Sequence, residues 1–122
     1  MTDTLSAKRD TQRVLLYAEG LAKESRKALT TEFNQRHKGI PFNTTPQLLR
    51  DSLLAWYTRR DNNMKLTTES INSATLGEVR VTFRAEYKKA TFKLHAHGKF
   101  TLTGGSIDSP CYMKELNITI AS

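Results

Sequence analysis

Hydrophobic residues change their spacing partway along this chain, and the change divides it into two halves. From about Thr4 to His37, Val14, Ala18, Leu21, Ser25, Ala28, Leu29 and Phe33 recur at three- and four-residue steps, with Lys23, Arg26, Lys27 and Gln35 elsewhere. That is the stripe of an amphipathic helix. Gly39 followed by Ile40-Pro41 supplies its stop. Such a helix would be ~50 Å long, whereas a domain of this size has a radius of gyration of ~14 Å. It therefore either breaks, at Gly20, or projects toward a partner. The small residues Ala18, Ser25 and Ala28 on the stripe suit close approach by another helix, from the same chain or from a second copy.

A second helix is expected from Pro46, with Thr45 as its cap and Leu49, Leu53 and Trp56 on its inner stripe, ending at Asp61-Asn62-Asn63. Residues 64–77 are rich in Thr, Ser and Asn and read as a connector.

Beyond that point the period falls to two. Val79, Val81, Phe83, Ala85 and Tyr87 alternate with Arg80, Thr82, Arg84 and Glu86. From Ala90 to Thr103 the alternation runs without a slip, apolar residues on one face and Lys93, His95, His97 and Lys99 on the other. Gly98 reads as a bend within it. After a loop from Gly104 to Pro110, Tyr112, Leu116, Ile118 and Ile120 are expected on the inner face of a last strand. A two-residue turn at Lys88-Lys89 sets every inner pair apolar, with Phe83 against Leu94 and Val81 against Ala96. The turn chemistry objects, because such turns favour Asn-Gly or Gly-X.

The fold expected is thus α+β: two N-terminal helices, then a three-stranded antiparallel meander. At 122 residues it forms a single domain, with a helical half at 1–63, the connector at 64–77 and a sheet half at 78–122.

Charge directs attention to that sheet. The chain carries a formal charge of +7 and a pI near 9.8, a balance that favours polyanionic partners. Between Arg80 and Lys99 stand Arg80, Arg84, Lys88, Lys89, Lys93 and Lys99, against Glu86 alone. Placed on one sheet face with His95 and His97, they suit a phosphate backbone. The face offers no aromatic platform for bases, since Tyr87, Phe92 and Phe100 fall in the core phase. Backbone contact is the reading, with nucleic acid or another polyanion as partner. The alternative is a protein-interaction module working through helix surfaces, including self-association through the first helix.

Other chemistry finds little footing. His95 and His97 could share a metal ion, but no neighbouring Cys or acidic pair completes a site. Cys111 is the only cysteine, so no intrachain disulfide can form and a reducing, cytoplasmic setting is expected. No secretory-type apolar segment and no apolar run of membrane-spanning length occurs. No nucleophile elbow, zinc-protease helix, phosphate loop or dinucleotide fingerprint is present, and Gly104-Gly105-Ser106 reads as a turn. The expectation is a non-catalytic domain without cofactor or metal.

Overall fold

The first apolar stripe forms one continuous helix, α1 (Asp3–Arg36), in the computed structural model, which describes residues 3–122. Gly20 does not break it. This glycine lies on the solvent side, where an added Cβ would meet no other part of the molecule within 4 Å, so it costs the helix only about 1 kcal/mol relative to alanine. Ala18, Leu21, Ala22 and Ser25 hold the turns on either side of it in the core. Among the described side chains its buried stripe begins at Val14, and the small residues that invited a second copy are spent inside the molecule. Ser25 is fully buried, donating to the Ala22 carbonyl at 3.1 Å and meeting the Tyr57 hydroxyl at 3.3 Å. Gly39, at φ 66°, takes the left-handed turn that follows the helix.

A two-residue strand, β1 (Ile40–Pro41), and a short 3-10 turn at Phe42–Thr44 lead into α2 (Thr45–Arg60). Thr44, not Thr45, occupies the cap position, and it makes no side-chain cap bond. Thr45 is instead fully buried, its hydroxyl donating to the Phe42 carbonyl at 2.7 Å. Leu49, Leu53, Trp56 and Tyr57 form the buried stripe.

The sheet has five strands rather than three. β2 (Lys65–Asn72), β3 (Glu78–Tyr87), β4 (Ala90–Leu102) and β5 (Pro110–Ala121) join β1 in the order β1-β5-β4-β3-β2, every pair antiparallel. The stretch read as a connector thus supplies an edge strand. Both helices cover one face, and the core lies between them and that face. The β3–β4 register is the expected one, with Phe83 against Leu94, Val81 against Ala96 and Tyr87 against Ala90 across the Lys88-Lys89 turn. Gly98 is a point of close approach rather than a bend. A Cβ there would stand 3.0 Å from Leu49 Cδ2 and 3.1 Å from Phe100 Cε1, so the bare backbone lets α2 settle onto the sheet.

β5 departs from the expected phase at its start. The register shifts between Lys99 and Phe100, so that Glu115 faces Lys99 and Met113 faces Phe100, leaving Lys114 as a bulge. Cys111 and Met113 therefore point inward with Leu116, Ile118 and Ile120, and Tyr112 turns to solvent. α1 runs beside this strand. The Asn34 amide donates to the Met113 carbonyl at 2.8 Å and accepts from the Met113 N–H at 2.7 Å. One side chain thereby does what a neighbouring strand would do.

Candidate functional site

Six of the eight residues expected to form a basic face share one. Arg80, Arg84, Lys93, His95, His97 and Lys99 point away from the helices, with Arg84 opposite Lys93 and Arg80 opposite His97. What the sequence segment did not reveal is the acid around them. Arg84 pairs with Glu86 at 3.0 Å, Lys99 with Glu115 of β5 at 3.5 Å, and Lys93 with Glu69 of β2. The His97 ring nitrogen lies 2.6 Å from Glu78. With Lys65 included, five Lys or Arg and four Glu occupy the surface, so the like-charge opposition of Arg84 and Lys93 is relieved locally. Each pair is solvated and worth at most ~1 kcal/mol. Their main effect is to flatten the field of the face.

His95 and His97 turn their ring nitrogens to separate partners. Thr82 Oγ1 stands 3.1 Å from His95 Nδ1, and Glu78 holds His97. Among the described residues no group of three potential metal-binding side chains comes together. Cys111 is buried, and desolvation pushes its thiol above the ordinary value, away from nucleophilic use.

Lys88 and Lys89 sit apart from the rest, at the tip of the β3–β4 hairpin. Both have positive φ, 47° and 66°. The tight, right-twisting turn needs that conformation, and Asn-Gly would supply it readily. In lysine it costs roughly 1–2 kcal/mol per residue. Unfavoured backbone held in place by its surroundings is a mark of functional positions. Two open clefts flank the tip and share Tyr87 and Lys88. One, of 420 Å³, lies toward Lys65 and Asn63; the other, of 520 Å³, lies toward Arg13 and Tyr17 of α1.

Between the clefts two tyrosines stack. The Tyr17 and Tyr87 rings are 5.3 Å apart at 28°, and Lys88 Nζ lies 5.5 Å from the Tyr87 ring centre. The Tyr17 hydroxyl donates to Asp61 Oδ2 at 2.6 Å, anchoring α1 to the end of α2. That hydrogen bond raises the Tyr17 hydroxyl to about 12 and holds the Asp61 carboxyl below its usual range; the same carboxylate raises Tyr87. Tyr87 is only half buried, so its expected place in the core is corrected to this rim. Strand parity could not show this, because the helix covers β3 less completely at its end. Tyr17 lies just off the apolar stripe of α1 and gave no signal of its own.

The anchor has a pH signature. A hydroxyl raised from its unfolded value near 10 to about 12 favours folding fully below pH 10. The contribution disappears as pH rises from 10 through 12. Asp61 acts in the opposite direction, its contribution being lost as pH falls below the unfolded carboxylate value of about 4. Tyr57, raised by burial to about 12, adds to the alkaline loss. Urea midpoints should therefore fall between pH 10 and 12, and Tyr17→Phe should make that fall shallower. An equally steep fall in the variant would show that the hydroxyl is not held by Asp61.

No family model, no curated protein and no solved structure matches the chain. None of the described helices is long and apolar enough to cross a membrane.

Proposed function

We propose that this chain is a non-catalytic domain that binds the phosphate backbone of nucleic acid, or a comparable polyanion, through the end of its β3–β4 hairpin. One observation carries the reading. Lys65 of β2 and Lys88 and Lys89 of the turn line one cleft with Tyr87, three lysines against the single acid Glu86, at a turn of unfavoured backbone. Arg84, Lys93 and Lys99 are each paired with a glutamate, which lowers their net field at a distance, while Arg80 has no acidic partner among the described residues. The Tyr87 ring is already engaged by Tyr17 and by Lys88, which favours contact with phosphates over stacking on bases.

With three or four phosphate contacts, log affinity for duplex DNA should fall against log salt with a slope of about −3 to −4. Sequence should matter little. Replacing Lys93 and Glu69 together with glutamine should leave affinity within about twofold, because it removes a whole ion pair from the centre of the sheet and leaves the net charge unchanged. Salt-titrated fluorescence polarisation measures both quantities. Absence of binding at low salt would end the proposal, and a large loss in the double variant would return the site to the centre of the sheet.

A second reading draws on α1. Leu16 is 68% exposed near the same end of the molecule, a position suited to a protein partner or a second copy. Self-association through the small-residue stripe has no such support, since Ala18 and Ser25 are buried.

A further inference from the structure

The two edges of this sheet are guarded very differently. β2 carries a bulge at Glu69 in its middle, with Lys65 at its start. Bulges and charges are the usual means of keeping an edge from pairing. The first half of β5 is closed as well: β1 pairs with Pro110 and Cys111, and the Asn34 amide occupies Met113. Past the Lys114 bulge the protection stops. Residues 116–121 read Leu-Asn-Ile-Thr-Ile-Ala, without charge, proline or further bulge, and they pair with β4 on one side only.

A groove accompanies that open stretch. It measures 310 Å³ and lies between α1 and β5, with Ile118 and Ile120 on the strand side and Ala22, Lys23 and Arg26 on the helix side. Neither Lys23 nor Arg26 has an acidic partner among the described residues, and Arg26 is half buried. Glu19 lies on the helix side two turns before Arg26.

We propose that the second half of β5 is a docking site for an extended peptide bearing acidic side chains, which adds to the sheet as a sixth strand under the flank of α1. Backbone hydrogen bonds to residues 116–121 supply the attachment. Apolar side chains on alternate positions enter the groove against Ile118 and Ile120. Acidic side chains meet Lys23 and Arg26, and Glu19 disfavours an acid at the other end, so the charge pattern fixes which way the peptide lies. This goes beyond the hairpin-end reading and uses none of its residues.

The probe is a fluorescein-labelled eight-residue peptide that alternates valine with threonine and carries two glutamates near one end. Polarisation should report saturable binding by the wild-type chain. Lys23→Glu combined with Arg26→Glu should weaken it about tenfold or more, with circular dichroism confirming the fold. Methylating alternate backbone nitrogens of the peptide, on the edge-facing side, should abolish binding while leaving its charge intact. Equal affinity for the methylated peptide would overturn strand addition in favour of plain electrostatic contact. No binding of the unmodified peptide at millimolar concentration would overturn the site itself. Light scattering that shows chains growing head to tail, with the peptide excluded, would assign the edge to β2 of a second copy instead.

Discussion

Truncating Leu94 to alanine is expected to destabilise the protein by about 2–5 kcal/mol. Leu94 has no exposed surface and sits in β4, the middle strand, paired with Phe83 on one side and Ile120 on the other. It cannot be replaced by a shift of backbone, because both neighbouring strands are fixed by their own pairing. The cavity left behind should therefore stay largely open, which places the cost toward the upper part of that range. A domain of this size has only about 5–15 kcal/mol in total. The adjacent residue is the control. Lys93→Ala removes one solvated ion pair with Glu69 and should cost no more than about 1 kcal/mol. Urea unfolding measures both, as a shift of midpoint at constant slope. A small effect at Leu94 beside a large one at Lys93 would reverse the assignment of the two sheet faces.

The hairpin tip should respond with two effects of opposite sign. Exchanging Lys88-Lys89 for Asn-Gly gives the turn the residues its backbone angles favour. Stability should rise by about 1 kcal/mol or more, read from thermal or urea unfolding. The same exchange removes two of the three lysines that define the proposed contact. Affinity for DNA should fall at least about tenfold at low salt, and the salt slope should lose about two units. A more stable protein that binds less well would mean that backbone strain is retained for charge at that position. Unchanged affinity in the stabilised variant would remove the hairpin end as a phosphate site.

Two bulges account for most of what the sequence concealed. The long, unbroken alternations of β3 and β4 announce their faces and their mutual register, and the structure has them as read. β2 hides because Leu66 and Thr68 face inward at even positions while Ile71 does so at an odd one, with Glu69 absorbing the change. A search for period two sees no strand there. β5 changes parity in the same way at Lys114, which exchanges Tyr112 for Cys111 and Met113 on the inner face. The ion pairs of the basic face were hidden for the same reason. Glu69 and Glu115 belong to those strands, so the partners of Lys93 and Lys99 appear only once the neighbouring strands are in place. The clustering of Lys88 and Lys89 was legible. Their meeting with Lys65 and Tyr17 was not, since it depends on pairing and packing over long separations.

The partnership of Asn34 with Met113 spans 79 residues, and it imposes an order of events on synthesis. α1 leaves the ribosome before β5, the strand it lies along. At 5–20 residues per second, roughly 4–16 s separate the two. Throughout that interval the nascent chain carries Leu21, Leu29 and Phe33 with no sheet to cover them. Apolar surface exposed in this way during synthesis is prone to aggregate and is what chaperones cover, and α1 would present it until β5 is made.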